Sequence, residues 1–337
     1  MPKSKSEKQT DSNASPAAYG WCFQVGAGIT LMLDNIKEFT SLKMEGASDD
    51  IELTLDSGKI YAQAKSATQI GDRRNAAKNL NNALRILSQD AENDDAVKLI
   101  YITNIENPLS SKSAASFLYD RSYEFSALPS DAKKRILDKV GDDFPSDKFQ
   151  LNILSFFGEG DNKFDSVKVK IAEFLRDAIN NPSFNKRLLD SWFETFMVNS
   201  ADKPDNEKRL ELRKKDVIFP VIVLVIDPPV YESDFAKVCD HDNYTEIHQD
   251  FREIINRNTY DYEFISAIIA DYLPKKNLAS DQSSYKYAYV RSEWKKYEEP
   301  FSVIKNSETR EAVIKLLLLT VIMQRSIINS IKEATNL

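Results

Sequence analysis

Three polar side chains close together in the sequence have the types and spacing needed to hydrolyse a phosphodiester bond. Asp50 is separated from Gln63 by twelve residues, and Lys65 follows two positions later. A carboxylate and carbonyl-type oxygens can hold Mg²⁺, which lowers the pKa of a bound water. A neighbouring ammonium can orient that water or offset charge that develops on the phosphate. These residues predict metal-dependent phosphodiester cleavage.

Two short strands and a turn are the elements that must position these groups. Alternation predicts strands at 50–55 and 59–66, joined by a tight turn at Asp56-Ser57-Gly58. One face of the hairpin is then apolar, and its members are Ile51, Leu53, Leu55, Ile60, Ala62 and Ala64. The other face gathers acids, an amide and an ammonium, and its members are Asp50, Glu52, Thr54, Tyr61, Gln63 and Lys65.

The sequence around the hairpin predicts a small α/β core. Ser15-Pro16 is typical of a helix start, and Asp72 is a candidate cap for a second helix. The predicted helices are 16–40, 73–91 and 130–140, and the predicted strands are 42–45, 97–103 and 149–156. The segment 104–128 is loop-like.

Helical periodicity dominates from about residue 163 onward. The predicted helices are 164–180, 184–198, 205–215, 245–256, 260–272, 283–297 and 308–334. The last of them carries apolar residues around its whole axis, so its own chain or a partner must cover it. We therefore predict an α+β (mixed) protein whose α/β core is followed by a mainly α-helical domain. The predicted divisions are a disordered tail at 1–15, a catalytic domain at 16–160, and a helical domain for regulation, oligomerisation or partner binding at 161–337.

Composition narrows the functional class. The 337 residues are 42% hydrophobic and 29% charged, with two distant cysteines and no apolar leader segment, which favours a cytoplasmic protein without a membrane partner. The net charge of −7 argues against general nucleic-acid coating, yet residues 59–88 carry an excess of five positive charges. No phosphate-binding loop or dinucleotide fingerprint occurs, and Cys239 with His241 lacks the other ligands of a zinc site.

The Asp-(x)n-Gln-x-Lys pattern resembles the Gln-x-Lys variant of the PD-(D/E)xK nuclease superfamily. Three flanking segments are similar to the DUF4297 group, the double-stranded DNA endonuclease domains attached to CBASS effectors and to Lamassu-type anti-phage complexes. They are Gly20-Trp21-Cys22-Phe23-Gln24, Met44-Glu45 before Asp49-Asp50-Ile51, and Ala62-Gln63-Ala64-Lys65-Ser66. The resemblance covers roughly residues 17–200 and implies a restriction-endonuclease-like core.

The resemblance also implies roles for individual residues. Asp50 matches the metal-binding aspartate, Gln63 replaces the usual second acid, and Lys65 matches the catalytic lysine. Glu45 matches a further acid that helps hold the metal, and Gln24 matches the glutamine of the first helix. The implied cofactor is Mg²⁺, for which Mn²⁺ can substitute.

Asp49 and Glu52 are alternative supplementary ligands, and the sequence does not choose between them and Glu45. Arg73, Arg74 and Lys78 are expected to grip the DNA backbone without reading bases. The implied protein is an endonuclease of low specificity in a defence complex, as a homo-oligomer or with an SMC-like ATPase. Two alternatives stay open: a nuclease-like DNA-binding subunit without activity, and a structural scaffold.

Overall fold

A computed structural model of the chain describes residues 15–44, 50–113, 115, 117–201, 211–227, 230–240, 244–256 and 262–337. The chain divides into two compact units. The sheet unit consists of the described parts of Met1–Asn35, Phe39–Lys170 and Thr195–Glu211. The helical unit consists of the described parts of Ile36–Glu38, Ile171–Glu194 and Leu212–Leu337.

The sheet unit combines a mixed sheet with helices. Its elements are α1 (Ser15–Asp34), β1 (Phe39–Met44), β2 (Ile51–Leu55), β3 (Gly58–Lys65), α2 (Ala76–Asp90), β4 (Ala96–Thr103), β5 (Arg121–Glu124), α3 (Ser130–Val140) and β6 (Phe149–Ile153). The strands described in this unit lie in one sheet, in the order β5-β6-β4-β3-β2-β1. The pairs β1–β2, β2–β3 and β5–β6 are antiparallel, whereas β3–β4 and β4–β6 are parallel. The predicted mixed α+β class is confirmed.

The turn at the start of β3 shows why the hairpin forms where it does. Gly58 has a φ of +141°, and a Cβ there would lie 2.6 Å from the carbonyl oxygen of Asp95. Only glycine fits such a position without strain. The register then pairs Ile51 with Ala62 and Leu53 with Ile60, as the alternation predicted.

Helices cover both faces of this sheet. Gly28 of α1 lies against Met44, which pairs with Ile51, so α1 packs on the apolar face of the hairpin. The opposite face joins α2 and α3 in one buried cluster that includes Tyr61, Leu99 and Tyr101. The face predicted to be polar is therefore polar only at its ends.

The helical unit is built around its longest helix. Its elements are the remaining parts of α4 (Asp165–Ile179) and α5 (Asn185–Ala201), then β7 (Leu212–Arg213), α6 (Lys214–Ile226), α7 (Glu232–Phe235), α8 (Tyr244–Asn256), α9 (Tyr262–Leu278), α10 (Tyr285–Glu293) and α11 (Ser307–Thr335). Every residue from Ala312 to Ile322 is buried, and α11 contacts α6, α8, α9 and α10. The helix that is apolar all round is thus covered by its own unit. Within the described chain, no helix combines the length and apolarity needed to span a bilayer.

Two predicted helix boundaries in the sheet unit are wrong. The first helix ends at Asp34 instead of residue 40, because 39–44 pairs with β2 as a strand. The second helix begins at Ala76 instead of residue 73, because the Asp72 carboxylate binds Arg74 and does not cap the helix. Tertiary pairing and a local ion pair outweigh the intrinsic preferences of these segments.

Three further elements differ from prediction. The short strand β5 lies within the segment predicted as loop, and its exposed residues give no alternation signal. The helix α6 contains Pro220 in a run of β-branched residues, both unfavourable for a helix, so it was not predicted. Likewise α9 continues through Pro274 to Leu278, beyond its predicted end at residue 272. Most of the predicted helix 205–215 lies outside the described residues.

Candidate active site

Asp50 and Lys65 meet at the end of the hairpin. The Lys65 Nζ lies 2.7 Å from Asp50 Oδ2 and 3.1 Å from Oδ1, so the ammonium donates to both carboxylate oxygens. The backbone N–H of Ala64 also donates to Oδ2 at 2.8 Å. Asp50 is only 8% exposed, whereas Lys65 is half-buried at the end of β3. The structure therefore joins the first and last of the three predicted catalytic residues in one ion pair.

Gln63 lies between these residues in register but deeper in the protein. It is fully buried and is paired with Tyr101 of the neighbouring parallel strand. Continuing the β2–β3 register by one step sets Asp50 opposite Gln63, on the same face of the sheet. Burial raises the pKa of the Tyr101 hydroxyl, so this phenol stays neutral at ordinary pH. The Gln63 amide is thus buried on the sheet face that also carries Asp50 and Lys65.

Glu52 belongs to a different group of charges. Its Oε1 lies 3.4 Å from Lys59 Nζ and 3.8 Å from Lys43 Nζ. Lys59 also lies 3.1 Å from Asp95, and this hydrogen bond raises the pKa of the lysine, which stays charged beside Glu52. Because two lysines neutralise it, Glu52 is poorly placed to help hold a metal beside Asp50.

The remaining predicted supporting residues are Glu45, Asp49 and Gln24. Glu45, and its alternative Asp49, lie outside the described residues. Gln24 lies in α1, half-buried between the fully buried Phe23 and Val25.

The donor atoms at Asp50 can be tested against the requirements of Mg²⁺. This ion takes one or two carboxylates and keeps several waters. The Asp50 carboxylate and the Gln63 amide oxygen are donors of the right kind, and Lys65 would have to release Oδ2. Among the described residues no group of three or more His, Cys, Asp or Glu side chains could hold a metal. Among the described residues, Asp50 and Gln63 are therefore the side chains that would hold such an ion, with water completing its shell.

The predicted DNA-binding residues separate into two sets. Arg73 donates to the Asn107 carbonyl and the Ser110 hydroxyl, which ties its loop to the loop after β4. Arg74 pairs with Asp72 at 2.8 Å, and the hydrogen bonds lower the pKa of that carboxyl to about 2. Both arginines lie before α2 and not on it.

Lys78 lies on the exposed side of α2. Arg85, seven residues later, is also exposed and therefore shares its side of the helix. Together they form a pair of cations that point to solvent. Arg85 contributed to the local excess of positive charge but was not predicted as a contact residue.

Asn104 is a residue of this site that the sequence did not reveal. It follows β4 directly and is fully buried. Its side chain accepts from Ala67 N at 2.7 Å and donates to Ala67 O at 2.8 Å and to Phe156 O at 3.0 Å. Tyr19 of α1 lies 3.4 Å from the same amide nitrogen and also donates to Phe156 O. The only signal in the sequence is an asparagine directly after a strongly apolar strand.

The comparisons with known proteins are sparse. No protein-family model matches the sequence, and no curated protein matches it. A solved structure of the Acinetobacter baumannii Cap4 SAVED/CARF-domain containing receptor with the cyclic trinucleotide 3'3'3'-cAAA is similar at 14% identity and a TM-score of 0.37. The match covers 66% of this chain and 47% of that chain, so this chain spans about half the receptor's length. A TM-score this low does not establish a common fold.

Proposed function

We propose that this protein is a Mg²⁺-dependent endonuclease that cleaves double-stranded DNA with little sequence specificity. The observation that carries the proposal is the meeting of Asp50 and Lys65 above the buried Gln63 at the end of a two-stranded hairpin. The proposed setting is a bacterial anti-phage defence complex, which rests on the resemblance of residues 20–66 to endonuclease domains of such systems.

The chemistry follows from the charges of this site. A bound Mg²⁺ would polarise the scissile phosphate and make an attacking water more acidic. Asp50 would supply the negative charge that attracts the cation, and Lys65, whose Nζ lies 2.7 Å from that carboxylate, would offset charge that develops on the phosphate. Lys78 and Arg85 are free to reach phosphates from the exposed side of α2.

A second function is favoured by one specific observation. Lys65 donates to both oxygens of Asp50, so the carboxylate that would hold a metal is already paired with an ammonium. A protein in which Asp50 stays paired with Lys65 and holds no metal would bind DNA without cutting it. Lys78 and Arg85 of α2 would contact DNA phosphates in this function as they would in a nuclease.

Incubation of the full-length protein with supercoiled plasmid and Mg²⁺ or Mn²⁺, alone and with the products of neighbouring genes, decides between the two. We expect the wild type to nick the plasmid, and Asp50→Asn and Lys65→Ala to lose at least 100-fold in rate, as when a main electrostatic group is removed.

The chain offers matched controls for both variants. Lys59 lies at the other end of β3 and pairs with Asp95 at 3.1 Å. Lys59→Ala and Asp95→Asn remove the same kinds of group from an ion pair at the other end of β3, and both should cut like the wild type. Plasmid binding without nicking under every condition would support the DNA-binding alternative and contradict the nuclease.

A further inference from the structure

Asn104 connects three segments that end at the same edge of the sheet. Strands β3, β4 and β6 are mutually parallel, so their carboxyl ends lie together at one edge. Lys65 is the last residue of β3, and Asn104 is the first residue after β4. Phe156 follows β6 by three residues.

The amide of Asn104 acts on the backbone like a strand partner. It accepts from the N–H and donates to the carbonyl of the same residue, Ala67, at 2.7 and 2.8 Å. Its second N–H donates to Phe156 O at 3.0 Å. Every donor and the acceptor of this buried amide is therefore engaged, which buried polar groups require.

This clamp lies two residues beyond Lys65. The β3–β4 register ends at the pair Lys65–Thr103, and Asn104 prolongs it by holding Ala67 where no strand pairing exists. The exit of β3 is thus fixed from both sides of Lys65: by the ladder before it and by Asn104 after it. Ala64, whose N–H holds Asp50, lies within the same constrained stretch.

We infer that Asn104 is a positioning residue, which acts through Ala67 to hold Lys65 against Asp50. This inference rests on the proposed function for its catalytic consequence, but its structural consequence can be measured separately. Loss of the clamp releases the chain after Lys65, so that the ammonium spends less time on the carboxylate.

The test compares Asn104→Ala with Asn152→Ala. Asn152 is also buried, lies in β6 of the same sheet, and accepts a hydrogen bond from Gln150 at 2.5 Å. Both variants remove one buried amide and should lower the melting temperature, Asn104→Ala by more because it loses three hydrogen bonds and Asn152→Ala one. Only Asn104→Ala removes the clamp on Ala67.

The first measurement is the rate of Lys65 acylation by an amine-reactive ester, read by peptide mass spectrometry and normalised to the exposed Lys78. We expect on the order of fivefold faster labelling in Asn104→Ala, the scale of losing a partly exposed ion pair, and no change in Asn152→Ala. The second is plasmid nicking, in which kcat should fall about 10- to 100-fold in Asn104→Ala with KM little changed.

If Asn104→Ala does not fold, Asn104→Ser takes its place, because its short side chain cannot reach both Ala67 and Phe156. Equal labelling of Lys65 in the wild type and the folded Asn104 variant, or equal changes in the two asparagine variants, would overturn the inference. A wild type that never cuts refutes the proposed function instead, while the labelling ratio still decides the role of Asn104.

Discussion

The ion pair between Asp50 and Lys65 predicts that replacing the lysine costs more folding stability than replacing the aspartate. Lys65→Met leaves a carboxylate that is 8% exposed with the Ala64 N–H as its remaining described donor. A hydrogen bond to a charged group contributes about 1.5–3 kcal/mol, and partial exposure of Lys65 reduces this to about 2 kcal/mol. Asp50→Asn keeps an oxygen for Ala64 and leaves an ammonium that can turn to water, at a cost of about 1 kcal/mol.

Added metal should change which of these two variants is the less stable. If the Lys65→Met carboxylate binds Mg²⁺ with a dissociation constant of about 1 mM, then 10 mM Mg²⁺ stabilises that variant by about 1.4 kcal/mol. The wild type should gain less, because its own ammonium competes, and Asp50→Asn should gain nothing. The metal would thus restore most of what Lys65→Met lost.

Hydrogen-exchange mass spectrometry on peptides covering Gly58–Lys65, with and without Mg²⁺, measures these free energies locally. The 1 kcal/mol gap between the two variants corresponds to roughly a fivefold difference in protection. Lys59→Met serves as the control, since Asp95 is exposed and Glu52 keeps Lys43 as a partner, so neither carboxylate should give rescue by metal. Equal losses in the two site variants, together with an equal response to Mg²⁺ in all of them, would refute the reasoning that metal and ammonium compete for Asp50.

Three further predictions concern the DNA contact, the pH dependence and the core. Lys78→Glu with Arg85→Glu should weaken DNA binding and lower the slope of log affinity against log salt by about 2, measured by fluorescence anisotropy, while the equally charged Lys295→Glu with Lys305→Glu should change little. Burial opposes ionisation of Asp227, but Arg187 and Arg252 outweigh it at 2.7 and 2.9 Å and lower the pKa of that carboxyl. A lowered pKa stabilises the folded state above the unfolded pKa of about 4, so the melting-temperature gap between wild type and Asp227→Asn should be constant from pH 7 to 5 and close as the pH falls below about 4; a gap that widens on acidification would contradict this. Leu317→Ala should cost about 2–5 kcal/mol in urea unfolding of the helical unit with no change in mass by light scattering, and a smaller mass would instead indicate an oligomer interface on α11.

The hairpin could be predicted from the sequence because local rules determine it. Alternation assigned the faces of β2 and β3, and Gly58 located the turn. The same reasoning set Glu52 on the side of Asp50. Alternation says nothing about which cations approach that side, and the register with β1 and β3 brought Lys43 and Lys59 to Glu52.

Asn104 could not be predicted because its role depends on contacts between distant segments. An asparagine after a strand is ordinary in a loop, and its partners lie 37 and 52 residues away in the sequence. Similarly, α6 has poor helix propensity and forms because nine of its residues are buried in the helical unit. Packing overrides local preference in both places.

The strand that carries Gln63 and Lys65 has neighbours on both sides. One pairs antiparallel and the other parallel, so β3 cannot slide or tilt without breaking two hydrogen-bonded ladders at once. A nuclease of low specificity endangers its own cell unless something restrains it. In the proposed nuclease such a restraint would not act by moving β3, and we expect it to act on segments that leave the sheet, such as the loop that carries Arg73 and Arg74. A regulator of the proposed nuclease is therefore expected to bind that loop.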